Sequence, residues 1–381
     1  MADGVQEWRI PEEGLWGFSH CGTDDTWYPW SGLDATGRLE RLVGDLAASG
    51  ANSFRPQLHR HRVEPPGWRV PSRPEEVAGD DVDSYEDAAD WGSYDSLVDS
   101  LTTAGLVPHL ALGAAYDFQL PRVLLDGKMV RATPDALGRD RYLASLLVHA
   151  RAAARHYRGR VRIWQLENEL NAAGETMLLV RWRSGRCWLD SGFLTAVMEV
   201  LHRAVRMEDP VALTSHNFHC QWRIIRGVYD WRRDVKRWSR FLDVVGVDSF
   251  PNYLWGRPQL GRRVGVKVAQ AVEIAEGRPV MVLESGYPVR PRRRGMSESG
   301  QADFVRQAVE AAVEAGGRGF YYYTLVSPEG FEVEGPWSNR FVQSVEPWWG
   351  LVRRDDTRRP SWNVYRDELY KRRARSCTNV K

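Results

Sequence analysis

Residues 161–171 read Val161-Arg-Ile-Trp-Gln-Leu-Glu-Asn-Glu-Leu-Asn171, a short apolar run that turns polar at its carboxyl end. A second stretch, Pro279-Val-Met-Val-Leu-Glu-Ser-Gly-Tyr-Pro288, has the same design, with an apolar run followed by a glutamate. Short apolar runs bounded by Gly, Pro or polar residues are typical of buried strands in a parallel sheet. Both stretches therefore predict a strand that carries an acidic side chain at its carboxyl end.

Similar runs recur along the chain, and most are separated by segments with helical periodicity. The eight runs are Leu15–Ser19, Ala51–Arg55, Leu106–Leu112, Val161–Leu166, Val211–Thr214, Val244–Val247, Val280–Leu283 and Gly319–Tyr323. Helices are predicted over Arg38–Ser49, Tyr94–Thr103, Arg139–Tyr157, Ser191–Met207, Val264–Glu276 and Ser299–Ala315. Gly50, Gly105 and Gly316 follow three of these helices, as expected where a glycine ends a helix and turns the chain toward the next strand.

Eight strands that alternate with helices favour an α/β fold with a single (β/α)₈ TIM barrel over a doubly wound sheet. No Gly-rich phosphate-binding motif follows an early strand, which argues against a nucleotide-binding sheet. We therefore predict one catalytic barrel over residues 1–381. The long βα loops after strands two and eight, Gln57–Asp90 and Leu325–Gly350, are expected to wall the site. Residues 353–381 are expected to form a closing helix, Trp362–Arg373, and a basic C-terminal tail.

The charge balance and hydrophobic content of the chain limit the kinds of partner it is expected to bind. The chain has 52 Lys and Arg against 50 Asp and Glu, a net charge of +2, with 43% hydrophobic residues. These values exclude a disordered chain and a charge-driven nucleic-acid binder as default interpretations. The first residues lack the features of a signal peptide, and no window is apolar enough for a membrane span. We expect a cytoplasmic protein with no nucleic-acid or membrane partner; secretion stays open if a leader was removed, and oligomeric state is not specified.

Aromatic residues are abundant, with 17 Trp, 14 Tyr and 11 Phe. Flat aromatic faces stack well on the rings of a ligand, which points toward carbohydrate or nucleobase, although many of these residues are expected to pack the core.

The two glutamate-bearing strands would be the fourth and seventh of the barrel, so Glu169 and Glu284 are predicted to meet at one mouth from opposite sides. A carboxylate at the end of a buried strand loses solvation unless a partner or a function keeps it there. Cleavage of a glycosidic bond with retention needs two carboxyl groups roughly 5–5.5 Å apart, one as nucleophile and one as acid and then base.

The motifs Leu-Glu-Asn168-Glu169-Leu-Asn and Leu-Glu284-Ser-Gly-Tyr-Pro resemble the strand-four and strand-seven motifs of the clan A retaining glycoside hydrolases. The resemblance implies a polysaccharide- or glycoside-cleaving hydrolase that acts by double displacement, with Glu169 as acid/base, Glu284 as nucleophile and no cofactor. It implies further that Asn168 bonds the sugar 2-hydroxyl and that Arg55, which ends strand two, keeps the nucleophile ionised. A guanidinium beside Glu284 would lower its pKa, while poor solvation and a negative neighbour would raise that of Glu169.

Strand four departs from the clan pattern. Period-two alternation puts Glu167 and Glu169 on one side and Asn168 on the other. A bulge or the strand end must therefore bring Asn168 to the site. The alternative is that Glu167 is the inward acid and Glu169 a loop residue.

Strand eight departs as well, because clan members usually have a Trp near its end and this chain has Tyr321-Tyr-Tyr-Thr-Leu-Val. The sugar platform is then expected from Tyr323 or from the following loop, whose candidates are Trp337, Trp348 and Trp349. Tyr253, in Asp248-Ser-Phe-Pro-Asn-Tyr, resembles the clan tyrosine that hydrogen-bonds the nucleophile, with a surface-loop aromatic as the alternative.

The histidines raise a metal-dependent barrel hydrolase as an alternative, since His59-Arg-His61 follows strand two and His216-Asn-Phe-His219 follows strand five. The HxH motif of that class belongs after strand one, however, and no Lys on strand four could bridge two metals. We predict no metal. His216 and Asn217 are expected to hydrogen-bond substrate or to orient Glu169, and His109 to be a hydrogen-bonded core residue.

A run of arginines, Arg290-Pro-Arg-Arg-Arg294, follows strand seven on the active face. It leaves open an anionic substrate that carries a uronate, sulfate or phosphate group, beside the simpler interpretation of a solvated surface. A further alternative is a catalytically silent barrel that binds glycans or a protein partner through its Trp-rich face. The sugar, the linkage and exo or endo action are not specified by the sequence.

Overall fold

The computed structural model describes residues 8–19, 37–113, 116–220, 230–253, 257–327 and 337–378. Eight parallel strands close into one barrel in which each strand pairs with the next along the chain and the last pairs with the first. The strands are β1 (Leu15–Ser19), β2 (Ser53–Arg55), β3 (Val107–Ala111), β4 (Ile163–Asn168), β5 (Leu213–His219), β6 (Val244–Asp248), β7 (Val280–Ser285) and β8 (Gly319–Tyr323). The predicted (β/α)₈ barrel is confirmed, and each of the eight predicted runs overlaps one strand. The fifth differs most, because β5 extends to His219 and not only to Thr214, so His216–His219 lies within the strand and does not follow it.

Helices surround the barrel and lie within two residues of the six predicted between strands. The longer ones are Arg38–Ala48, Gly79–Ala88, Gly92–Thr103, Arg139–His156, Ser191–Glu208, Trp231–Trp238, Arg262–Ile274, Glu298–Glu314, Trp337–Val345 and Pro360–Thr378. Short helices cover Arg60–Val63, Pro134–Leu137 and Ala173–Glu175. Gly50, Gly105 and Gly316 have φ of 79°, 72° and 89°, the left-handed conformation that glycine adopts readily where a helix ends. No described helix is both long enough and apolar enough to cross a membrane.

The loops after β2 and β3 carry extra structure at the carboxyl face. Helices Arg60–Val63 and Gly79–Ala88 lie in the predicted long loop after β2. The loop after β3 contains an antiparallel hairpin of Arg122–Leu125 and Lys128–Arg131 that we did not predict. The closing helix, Pro360–Thr378, is longer than predicted, and the hydroxyl of Tyr365 donates to the carbonyl of Phe320 at 3.1 Å.

The barrel interior is layered from apolar to polar. At the amino end of the strands an apolar plug is formed by Leu15, Ile163, Val244, Met281, Leu283 and Tyr321. Above it His109 is fully buried, with Nε2 2.7 Å from Ser215 Oγ and Nδ1 3.3 Å from the Tyr321 hydroxyl. His109 is therefore the hydrogen-bonded core histidine that we predicted. The layer above it, at the carboxyl ends of the strands, consists of charged and amide side chains.

Candidate active site

Arg55 is the centre of the polar layer. Its side chain is fully buried, and Nη1 donates to Glu284 Oε1 at 2.7 Å while Nη2 donates to Asn168 Oδ1 at 3.1 Å. Its Nε donates to Gln165 Oε1 at 2.5 Å. One guanidinium on β2 thus ties the end of β4 to the end of β7, across the mouth of the barrel.

A register shift at the end of β4 decides which side chains reach this mouth. The pairing of β4 with β5 is irregular between Gln165 and Asn168, and Glu169 follows with a left-handed φ of 44°. The extra residue lets Asn168 point toward Arg55, as a β-bulge does. The bulge that the alternation of the sequence required is present.

The same bulge places the side chain of Glu167 on the outer side of β4, away from the mouth of the barrel. Its carboxyl accepts the Asn168 N–H at 2.8 Å and lies 2.3 Å from where a Cβ on residue 113 would stand, so Gly113 is needed to make room for it. Burial raises the pKa of Glu167 to about 7. Glu167 is fully buried, whereas the side chain of Glu169 is 14% exposed. Of these two glutamates, only Glu169 has an exposed side-chain fraction.

On β5, Asn217 and His219 face the mouth, and His216 faces away from it. Asn217 Oδ1 accepts the backbone N–H of Glu169 at 2.9 Å, and its Nδ2 donates to Asn168 Oδ1 at 2.9 Å. Asn217 therefore holds the turn at Glu169 and the side chain of Asn168 in place. His216 instead donates from Nδ1 to the carbonyl of Glu167, and its ring packs on Trp238 with centroids 5.5 Å apart. The prediction for His216 is corrected, because alternation along β5 turns its side chain outward.

His219 was missed by the sequence analysis as a site residue. Its ring Nδ1–H donates to Glu169 Oε1 at 2.6 Å. Alternation from Asn217 would have placed His219 on the same face, so the signal was present in the sequence.

The pKa values of the two glutamates are ordered opposite to expectation. Burial raises the pKa of Glu284 to about 7, although the nearby Arg55 guanidinium acts to lower it. Burial also acts to raise the pKa of Glu169, but the ion pair and hydrogen bond with His219 outweigh it, and the pKa is lowered. The same pair raises the pKa of His219 despite its burial. The Glu169 carboxylate and the His219 imidazolium thus stabilise each other's charged forms.

A further carboxyl, Asp248 at the end of β6, lies beside Glu284 in the sheet register. It accepts a hydrogen bond from Asn217. Burial, together with the negative charges of Glu284 and Glu169, raises the pKa of Asp248 well above its usual range. The protonated form of Asp248 is therefore favoured by its surroundings, although the positive charge of Arg55 and the hydrogen bond from Asn217 act in the opposite direction.

The aromatic wall of the mouth is anchored by Glu346, a residue the sequence analysis did not single out. Glu346 Oε2 accepts from the Tyr323 hydroxyl at 3.0 Å, and its carboxyl also hydrogen-bonds with Tyr253. The resemblance implied a bond from Tyr253 to the nucleophile, and the structure gives this hydroxyl to Glu346. Trp349 is fully buried, stacked on Tyr253 with ring centroids 5.9 Å apart. Tyr323 and Trp349 therefore line this wall as a packed cluster.

Two further aromatic candidates lie elsewhere. Trp348 is half-buried and carries the guanidinium of Arg290 4.2 Å above its ring. The side chain of Trp337 lies outside the part of the chain that the structure describes. In the arginine run, Arg294 donates to the carbonyl of Asn252 at 3.2 Å, which fixes the turn that precedes Tyr253. Two other arginines of the run, at positions 292 and 293, are exposed.

Comparison with known proteins gives structural neighbours only. No family model matches the chain, and no curated protein matches it. Among solved structures, the chain is similar to a hyperthermophilic β-glucosidase from Pyrococcus furiosus, with 12% identity, 96% of both chains covered and a TM-score of 0.65. It is also similar to GH5_18 from Streptomyces cattleya in complex with GlcNAc, with 14% identity, 94% of this chain and 80% of that chain covered and a TM-score of 0.64.

A third neighbour is the native xylanase 10B from Thermotoga maritima, with 14% identity, 95% of this chain and 97% of that chain covered and a TM-score of 0.60. At these identities the likeness is one of fold. The neighbours fit the clan A resemblance of the two glutamate motifs. This chain therefore has the same eight-stranded barrel fold as these glycoside hydrolases.

Proposed function

We propose that this chain is a retaining glycoside hydrolase that cleaves a β-glycosidic bond. The observation that carries the proposal is the Arg55 guanidinium, which holds Glu284 and Asn168 at one mouth, directly beside Glu169. A nucleophile, an acid/base and an amide for the sugar 2-hydroxyl are the groups that double displacement requires. The proposed substrate is an oligosaccharide, a polysaccharide or a simple glycoside, with an anionic sugar included among the candidates.

In the first step, a carboxylate oxygen of Glu284 attacks the anomeric carbon while the proton of Glu169 passes to the glycosidic oxygen. The bond from the anomeric carbon to that oxygen breaks, its electron pair stays on the leaving oxygen, and a glycosyl ester of Glu284 forms. Arg55 donates to Glu284 Oε1 and keeps the carboxylate oriented in a site where the pKa is raised. No cofactor takes part in either step.

In the second step, Glu169 is a carboxylate and removes a proton from water. The water oxygen bonds to the anomeric carbon, the ester bond to Glu284 breaks, and both carboxyl groups return to their starting states. Asn168 Oδ1 is occupied by the donors of Arg55 and Asn217, so its amide Nδ2 is oriented to donate to a sugar hydroxyl. Two inversions at one carbon give net retention.

The pKa shifts predict a bell-shaped dependence of kcat/KM on pH, with an acid limb from Glu284 and an alkaline limb from the Glu169–His219 pair. Glu284 must be ionised to attack, and its pKa is raised to about 7, so activity falls as the pH drops through that value. The Glu169–His219 pair must hold its proton, and the raised pKa of His219 places that loss on the alkaline side of 6.5. Initial rates on an aryl β-glycoside between about pH 4 and pH 10 measure both limbs.

Circular dichroism over the same pH range is the control, because it separates loss of ionisation from loss of fold. Full activity at pH 5 in the folded protein would contradict the raised pKa of Glu284.

A screen of aryl β-glycosides and polysaccharides, with uronate-containing ones included, tests the function itself. Proton NMR during hydrolysis reports which anomer forms first, and retention gives the β anomer before mutarotation. Binding without turnover across the whole panel would favour a silent glycan-binding barrel. Loss of an observed activity on chelation would favour a metal-dependent hydrolase.

A further inference from the structure

Backbone hydrogen bonds hold both His219 and Glu169 in place at the point where their side chains meet. The backbone N–H of His219 donates to Asn171 Oδ1 at 3.1 Å, and Asn171 Nδ2 donates back to the His219 carbonyl at 3.1 Å. Asn171 belongs to the turn that carries Glu169, whose own N–H is held by Asn217 at 2.9 Å. The end of β5 and the turn after β4 are therefore locked together at the point where the two side chains meet.

The two side chains meet where little of either is exposed to solvent. The side chain of His219 is 9% exposed and that of Glu169 is 14% exposed, with 2.6 Å between Nδ1 and Oε1. A charge-assisted hydrogen bond of this length in a poorly solvated site restricts the carboxyl strongly. Because Nδ1–H is directed at Oε1, the other carboxyl oxygen, Oε2, takes no part in this hydrogen bond.

We propose that His219 is a positioning residue for Glu169: its Nδ1–H fixes Oε1, Oε2 exchanges the catalytic proton, and the imidazole and the carboxyl share one titrating proton. The proposal rests on the proposed function of Glu169 as acid/base. The Glu169–His219 pair exists in two forms that differ only in where the proton resides. In one, the imidazole carries both ring protons beside a carboxylate; in the other, a neutral imidazole keeps Nδ1–H and Glu169 carries the proton on Oε2.

Both forms keep the same hydrogen bond, so the carboxyl does not turn between the two steps of the reaction. When Oε2 gives its proton to the leaving oxygen, the developing carboxylate is already held by a donor at Oε1. When water is activated, the same carboxylate receives the proton at Oε2. A preoriented donor at the place where charge develops needs no rearrangement during the step.

The surrounding charges act on the pair as a unit. Arg55 on β2 and Arg183 after β4 stabilise the carboxylate, whereas Glu284 on β7 and Glu175 after β4 stabilise the imidazolium. The remaining titratable groups that interact with Glu169 are His216, Cys220, Asp248, Tyr253 and Glu346. Removing either member of the pair is therefore expected to change the titration of the other.

Histidine titration by NMR tests the pairing without turnover, so its outcome is independent of the proposed function. His219→Asn identifies the signal, since it removes one of nine histidines. In the wild-type protein the assigned ring is expected to titrate above 6.5. In Glu169→Gln, loss of the neighbouring charge is expected to lower this pKa by about one unit or more. An unchanged value in Glu169→Gln would overturn the shared proton.

A pair of substitutions tests the consequence for catalysis. His219→Leu removes the donor, whereas His219→Asn keeps an amide N–H near the place of Nδ1 and removes the titration. For glycosides with poor leaving groups, kcat/KM is expected to fall about 10- to 100-fold in His219→Leu and to recover in part in His219→Asn. Activated aryl glycosides need little acid assistance, so their loss is expected to stay below about threefold.

In both variants, the alkaline limb of the pH profile is expected to move by about one unit, because Glu169 then titrates alone. His202→Asn is the matched control, since its ring packs on Phe241 outside the barrel mouth. Equal losses for good and poor leaving groups, with an unmoved alkaline limb, would show a purely structural role and overturn the proposal.

Discussion

Replacement of Glu284 with glycine is expected to lower kcat on unactivated glycosides by about 10⁴- to 10⁶-fold, the scale seen when a covalent nucleophile is removed. The oxygen that would bond to the anomeric carbon is then missing, and the deleted side chain leaves a space beside Arg55. Formate or azide is expected to enter this space and restore part of the reaction on activated glycosides. Rates with and without the added anion, and the anomer of the product, measure the effect.

The control for this experiment is Glu276→Gly. Glu276 has a left-handed φ of 52°, and its side chain is 66% exposed, so glycine fits there without strain. Its activity is expected to equal that of the wild type. Because Glu284→Gly leaves the Arg55 charge without its carboxylate, thermal unfolding of each variant has to be measured as well. A folded Glu284→Gly variant with wild-type turnover would remove Glu284 from the mechanism.

Replacement of Glu169 with glutamine is expected to lower kcat/KM on poor leaving groups by about 10²- to 10⁴-fold. The N–H protons of the amide are not acidic enough to protonate the leaving oxygen, although the amide retains the size of the carboxyl. Activated aryl glycosides are expected to form the glycosyl ester nearly as before and to stall at its hydrolysis. Azide, which attacks without a general base, is expected to speed that second step and to yield a glycosyl azide.

Glu167→Gln is a closely matched control, because Glu167 stands two residues away and is fully buried behind β4. The glutamine oxygen can still accept the Asn168 N–H that the carboxyl accepts at 2.8 Å. Turnover is expected to change little. If the large loss and the azide rescue appeared in Glu167→Gln and not in Glu169→Gln, the acid/base role would belong to Glu167 and not to Glu169.

The barrel could be predicted from the sequence because its signal is local and repeated. Each strand is a short apolar run, and glycines such as Gly50 and Gly105 mark the helix ends. The hairpin Arg122–Leu125 with Lys128–Arg131 was missed although its turn is also local. Asp126 and Gly127 form that turn, with φ of 48° and 77°, and Asp-Gly between two short strand-like segments is a strong hairpin signal. It was overlooked because it stands outside the repeating βα pattern.

The residues of the candidate site could be proposed from the sequence only where a motif contained them. Arg55, Asn168, Glu169 and Glu284 came from two strand motifs and one strand end. His216 was misplaced because the phase of β5 was not applied, and the same phase would have found His219. The pKa order was wrong for a different reason: His219 lies 50 residues from Glu169, and Glu346 reaches Tyr323 from a later helical turn. Electrostatic partners of this kind are distant in sequence and come together only when the barrel closes.

The most direct test of the two-carboxylate mechanism is to trap the glycosyl ester with an activated 2-deoxy-2-fluoro β-glycoside and to locate it by mass spectrometry after proteolysis. Fluorine at C2 slows both steps, and the good leaving group keeps the first fast enough for the ester to accumulate. We expect one sugar per chain, on the peptide that contains Glu284, with no label in Glu284→Gly. A label on any other residue, or turnover of natural glycosides with inversion, would contradict the account.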